Sequence, residues 1–252
     1  MRIGSLAGAA IFGFIALLAQ GVAATAAEVK VMAGAGMRGA FGELVPQFER
    51  ATGHKIEIQY GAGGTFKKQI EAGEAFDLVI IDSDAVDDLI KQGKIAGDTR
   101  MDIVRAGIGV AVREGAPKPD ISSVDAFRNT LLNAKSFTYG STSTHLPKVF
   151  DRLGIAEQVK GKTKPNALDR VAPAVAAGDV ELAIAGVPTL LSVKGVQLVG
   201  LLPGELQSWF VNTAGVGAAA GQPDAAKALI KYLATPEAAA VMKAKGMEPL
   251  GR

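Results

Sequence analysis

The stretch Val29-Lys30-Val31-Met32-Ala33-Gly34-Ala35-Gly36-Met37-Arg38-Gly39, with Phe41, Leu44, Val45 and Phe48 after it, decides the fold. Its first five residues read as a strand and its glycines as a tight turn. The apolar residues that follow, three and four apart, mark one face of a helix ending near Gly53. Pro46 costs this helix a hydrogen bond unless it lies in the first turn. The same unit recurs downstream. Lys55 to Tyr60 alternates as a strand, Gly61-Ala62-Gly63-Gly64-Thr65 is a second glycine turn, and Phe66 to Ala72 is a helix. Phe76 to Ile81 is an almost unbroken apolar run, the pattern of a strand covered on both faces. Ser83 or Asp84 is placed to cap a helix over Ala85 to Gln92. Three such units predict a parallel sheet with right-handed crossovers, an α/β protein.

The pattern continues through the middle of the chain. Strands are expected over Ile103 to Arg113, Phe137 to Tyr139, Glu181 to Ala185, Val196 to Leu202 and Trp209 to Val216. Helices are expected over Ser122 to Ala134, Leu146 to Leu153 and Ala167 to Ala177. Two more close the chain, Asp224 to Ala234 and Pro236 to Lys245, the last with Pro236 in its first turn behind a Thr235 cap.

Toward the N-terminus, Arg2 precedes an apolar run from Ile3 to Ala19, and Ala24-Thr25-Ala26 fits a small-x-small cleavage pattern. The strongly apolar part, Ile11 to Ala19, is too short to span a bilayer comfortably. Residues 1–26 therefore read as a signal peptide, and the mature protein as a soluble resident of the periplasm. Composition agrees with a folded exported protein: 48% of the 252 residues are hydrophobic and 21% charged. Cysteine is absent, which removes disulfides, thiolate metal sites and thiol nucleophiles. His54 and His145 are the only histidines, and their spacing forms no metal motif. A net charge of +2 gives no basic surface for nucleic acid. No metal or other cofactor is expected. Gly34, Gly36 and Gly39 do fall at G-x-G-x-x-G positions with Glu57 in range for a ribose, but nicotinamide cofactors are scarce outside the cytoplasm.

Chemistry in an open parallel sheet belongs to the loops beyond the carboxyl ends of the strands. Four qualify: Gly34 to Gly39, Gly61 to Thr65, Gly140 to His145, and Gly186 to Thr189. Tight turns alone would explain the glycines of one loop. Four in one chain point to a cleft for an anion or polar solute, with backbone N–H groups and helix dipoles facing it.

The run Val31-Met32-Ala33-Gly34-Ala35-Gly36-Met37, then Gln69-Ile70-Glu71-Ala72-Gly73 and Asp77-Leu78-Val79-Ile80, resembles the molybdate-binding proteins of ABC importers. The ending Thr235-Pro236-Glu237-Ala238-Ala239 with Gly246-Met247-Glu248-Pro249 is similar to that family's C-terminal signature. The matches span almost the whole mature chain. The resemblance implies a type II periplasmic binding protein fold: two lobes, each a mainly parallel sheet flanked by helices, with the ligand cleft between them. Lobe 1 would comprise 27–108 and 214–252, and lobe 2 residues 109–213. It also implies a monomer that hands its ligand to an ABC permease in the inner membrane.

Molybdate binders present serine hydroxyls from the first two loops and a tyrosine from a later one. Here the matching positions hold Gly36, Gly63 or Gly64, and Gly186, with Thr65 nearby. Cations offer another grip. Arg38 follows the first loop, Lys148 the third, and Arg170 opens a helix; converging with His145, they would suit an organic di- or tricarboxylate better than a bare oxyanion. Solvated surface charge is the alternative for each. The expected ligand-binding set is Gly36, Met37, Arg38, Gly63, Gly64, Thr65, Ser143, Thr144, His145, Lys148, Arg170 and Gly186. Asp82 and Asp84 are expected to cap a helix or hold the hinge, since they would repel an anion. The principal reading is a periplasmic solute-binding protein for a small anion and not an enzyme. The second reading is a binding-fold enzyme of the aconitate isomerase kind, with His145, Lys148 or Tyr139 moving a proton on a small polycarboxylate.

Overall fold

The computed structural model describes residues 26–251 apart from Thr142. The signal peptide reading falls almost wholly on residues 1–25 and so lies outside the described part. The elements follow in order: β1 (Glu28–Gly34), a 3-10 turn (Ala35–Met37), α1 (Arg38–Thr52), β2 (Lys55–Gly61), α2 (Gly63–Glu71), β3 (Leu78–Asp82), α3 (Ser83–Lys91) and β4 (Met101–Arg113). Next come α4 (Val124–Asn133), β5 (Phe137–Tyr139), α5 (His145–Arg152), α6 (Ala156–Val159), α7 (Leu168–Ala177), β6 (Leu182–Gly186), α8 (Val187–Leu190) and β7 (Val196–Leu201). The chain ends with β8 (Trp209–Val216), α9 (Pro223–Leu233), α10 (Pro236–Ala244) and β9 (Glu248–Pro249).

β1 lies between β2 and β3 and runs parallel to both, from Glu28 opposite Lys55 to Gly34 opposite Gly61. Leu78, Val79, Ile80 and Ile81 of β3 are all fully buried, because helices cover both faces. Beyond β3 the direction changes. β8 is antiparallel to β3, and β4 is antiparallel to β8. From Ile108 onward β4 leaves β8 and pairs instead with β6 and β7, again antiparallel, while β5 and β6 run parallel. The mainly parallel pattern expected of each lobe thus holds for β1, β2 and β3. Around β4 the second sheet is antiparallel, because one long strand serves both sheets and meets returning chains on each side.

Buried side chains group on either side of that crossing. Two clusters draw on residues 29–106 and 214–247; the other two draw only on residues 110–206. α1 contributes Phe41, Leu44, Val45 and Phe48 to the first, in agreement with their spacing. Pro46 sits in the interior of α1 rather than its first turn, and it is tolerated on the exposed face, where water meets the freed carbonyl. α2 begins at Gly63, three residues earlier than the apolar pattern marks it.

Helix capping separates two kinds of helix start. α4 and α10 begin away from strand ends and are capped by side chains: Ser123 Oγ accepts from Ala126 N–H at 3.1 Å and Thr235 Oγ1 from Ala238 N–H at 3.3 Å. The helices that follow strands β1, β2, β3 and β6 carry no side-chain cap. Thr235→Ala should lower stability by about 1 kcal/mol, the usual worth of such a cap; chemical denaturation measures it.

Candidate functional site

The carboxyl ends of β1, β2, β3 and β6 bring three of the four expected loops into one region. Gly36 lies in the turn after β1, and a Cβ there would stand 3.7 Å from Pro188 Cβ and 3.7 Å from Thr189 Oγ1. The first loop and the start of α8 therefore face each other, although 150 residues separate them in the chain. Gly186 is kept small by Phe210 of β8, whose ring would meet an added Cβ at 2.6 Å.

Arg38 is the first residue of α1 and is exposed, with its guanidinium 4.3 Å from the centre of the Tyr60 ring. Stacking holds the cation in place without neutralising it. Among the described residues it has no salt-bridge partner. Burial pushes the Tyr60 phenol up, and the Arg38 charge opposes that shift. Met37, by contrast, is fully buried in the core, so only its backbone remains for a ligand.

The second loop opens α2. Gly64 and Thr65 are exposed, and a Cβ on Gly64 would meet open space. Gly63 is different: its Cβ would stand 2.7 Å from the Asp82 carboxylate. The expectation that Ser83 or Asp84 caps α3 is corrected here. Asp82 occupies the cap position, with no side-chain cap bond. Asp82 instead turns toward Gly63, exposed to solvent yet crowded by protein atoms. Burial pushes its carboxyl up, aided by Asp84 and opposed by a bond from its own backbone N–H. Across the sheet Asp82 pairs with Asn212 of β8, whose amide oxygen would stand 3.1 Å from a Cβ on Gly34. Sequence reasoning passed over Asn212 altogether, since one polar residue in a strand gives no local signal. The glycines at 34 and 63 were read as room for a ligand, and they also make room for these two side chains.

The third loop serves a different environment. Ser143 Oγ accepts from Leu146 N–H at 3.3 Å, and Thr144 is exposed at the start of α5. Nε2 of His145 lies 3.0 Å from the Leu206 carbonyl oxygen, a bond that requires the Nε2–H tautomer. Lys148 is exposed on α5, and Tyr139 packs edge-on against Phe150 at 5.7 Å. Arg170 lines a groove on α7 with Lys164, Asn166, Asp179 and Val180, which no residue of 27–108 helps to form. The structure thus groups Gly36, Arg38, Gly63 and Gly186, and places the ring of His145 and the head of Arg170 among other neighbours. Among the described residues no group of three or more His, Asp or Glu is placed to hold a metal ion. No helix among them is long and apolar enough to cross a membrane.

A two-sheet α/β protein with its open loops at strand ends is the architecture of a type II periplasmic binding protein. The chain belongs to the bacterial extracellular solute-binding protein family, whose model matches residues 29–248. It is 32% identical to an aconitate isomerase of Pseudomonas sp. over 228 residues, covering 87% of each chain. The molybdate-binding protein ModA of Azotobacter vinelandii is 28% identical over 238 residues, 89% of this chain and 91% of that one. The solved structure of the Azotobacter vinelandii periplasmic molybdate-binding protein shares the fold, with a TM-score of 0.71 and 18% identity over 87% of this chain and 98% of that one.

Proposed function

We propose that the protein binds a small organic carboxylate in the cleft between two lobes, 27–108 with 214–252 and 109–213, and delivers it to an ABC permease from the periplasm. The observation that carries the carboxylate is Arg38. It stands exposed at the end of the first glycine loop, fixed over Tyr60 and lacking an acidic partner among the described residues. A guanidinium in that state is ready for a bidentate carboxylate. Backbone N–H groups at the uncapped starts of α1 and α2 add to its grip. Hinge motion about β4 and β8 would close the lobes on the bound anion.

Thermal shift with citrate, both aconitate isomers, succinate, sulfate and molybdate tests the reading, because a ligand of the folded state raises the melting temperature by mass action. Arg38→Ala should weaken the responding carboxylate by about 2 kcal/mol, roughly 30-fold, the lower end for a charge pair that loses one member. Titration calorimetry reads this directly, and a change under about twofold removes Arg38 from the site.

A second reading, isomerisation of a small polycarboxylate, is favoured by the 32% identity to an aconitate isomerase. It needs the same anion site plus a group that moves a proton beside it. Conversion between the two aconitate isomers, followed by proton NMR on the same samples, separates catalysis from binding alone.

A further inference from the structure

At the end of β3 and beside it on β8 stand two polar groups that the anion reading leaves unused. Asp82 ends β3 and Asn212 lies across from it on antiparallel β8, so the two side chains leave the same face of the sheet. Asn212 is only 8% exposed as a residue, yet its amide is not among the buried groups left without a partner, so its polar end reaches the surface at the strand end. An amide in that position can both donate to and accept from a ligand. Asp82 sits at the N-cap of α3 without making a side-chain cap bond, and among the described residues it has no salt bridge. Both groups reach toward glycines of the first two loops: a Cβ on Gly63 would clash with the Asp82 carboxylate at 2.7 Å, and one on Gly34 would press on the Asn212 amide oxygen at 3.1 Å.

We propose that Asp82 and Asn212 form the selective half of the ligand site, which accepts an organic acid only when it brings a hydrogen-bond donor, a hydroxyl or a carboxyl proton, to Asp82. This rests on the anion-binding reading above. An ionised carboxylate is purely an acceptor and repels a ligand atom that is also only an acceptor. A fully deprotonated tetrahedral oxyanion such as sulfate or molybdate offers no donor, so Asp82 excludes it by an unpaired, repelled contact. A hydroxy acid, or an acid that keeps one proton, makes a short charge-assisted bond there and takes the Asn212 amide as a second partner. Burial pushes the Asp82 carboxyl above its usual range, which eases sharing a proton with a ligand that brings one. The charged group acting on Asp82 is Asp84 of α3. Asn212 from β8 and Gly63 from α2 are uncharged, and Lys67 of α2 is engaged by Glu71.

Titration calorimetry of the exported form with citrate, trans-aconitate, sulfate and molybdate, at about pH 5.5 and about pH 8, tests the proposal. The wild type should bind an organic acid and neither oxyanion. Its affinity for trans-aconitate, which lacks a hydroxyl, should fall about tenfold or more at the higher pH. Asp82→Asn should lose that pH step and gain about tenfold or more in affinity for sulfate or molybdate. Asp82→Ser, uncharged like asparagine and smaller, should behave alike, and Asn212→Ala should weaken every organic acid that binds. Unchanged selectivity and pH profile in both Asp82 variants would overturn the inference while leaving the anion cleft standing, as would tight oxyanion binding by the wild type at the higher pH. Failure of all four probes to bind the wild type at either pH would overturn the anion reading, and this inference with it.

Discussion

Asp77→Ala should lower stability by about 3 kcal/mol, close to 10 °C in melting temperature for a chain of this size. The residue immediately precedes β3 and is 5% exposed. One carboxylate oxygen accepts from Lys30 N–H at 2.8 Å, and the other from Gln222 N–H at 2.9 Å. Its backbone adds two more ties, its N–H to the Lys30 carbonyl and its carbonyl to Gly217 N–H, both at 2.9 Å. One side chain thus fastens the edge of β1 to the turn that opens α9. Alanine would leave two donors without acceptors in a site closed to water, each costing on the order of 1–3 kcal/mol. Asp77→Asn keeps one acceptor oxygen and should fall between. Urea denaturation of the three proteins decides the matter, and a loss under about 1 kcal/mol for alanine would show that water replaces the carboxylate.

A loss of similar size, about 3 kcal/mol, is expected for Gly246→Ala, with consequences at the candidate site as well. Gly246 ends α10 with φ +76°, and its N–H and that of Met247 bond back to Lys243 and Met242 carbonyls at 2.9 and 3.1 Å. An L-residue there pays roughly 1 kcal/mol in backbone strain. The added Cβ would also stand 2.4 Å from Val187 Cγ1 and 3.5 Å from its Cβ, a clash with a side chain only 3% exposed. Val187 opens α8, directly before the Pro188 and Thr189 that face Gly36. Displacing it shifts that wall of the cleft, so the affinity for the responding carboxylate should drop together with the melting temperature. The double variant with Val187→Ala should recover part of both losses. Equal losses in the single and double variants would assign the whole effect to the backbone.

Much of this molecule is written locally. Phe41, Leu44, Val45 and Phe48 are buried because their spacing repeats with the helix, and Leu78 to Ile81 because a strand covered on both faces needs no polar residue. Thr235 before Pro236 announced a cap, and the structure makes that bond. The succession of strand, glycine turn and helix was enough for the α/β class, and the motifs near residues 31–37 and 235–249 pointed to the family. Each of these signals lies within a few residues along the chain, where periodicity and turn chemistry operate.

The tertiary structure decided where single side chains go. Arg38, Lys148 and Arg170 are alike as exposed cations beside loops, yet only Arg38 meets the first two glycine loops, stacked over Tyr60. The bond of His145 to Leu206 spans 61 residues, and the pairing of Asp82 with Asn212 spans more than twice that. No period in the sequence encodes such distances; the second follows from β8 lying beside β3, and the first from α5 packing against the segment that precedes β8. The sequence alone therefore determined the elements, the class and the resemblance, because those rest on local propensity and burial. Which polar groups meet came only from the packing, because that depends on strand order and register between distant segments.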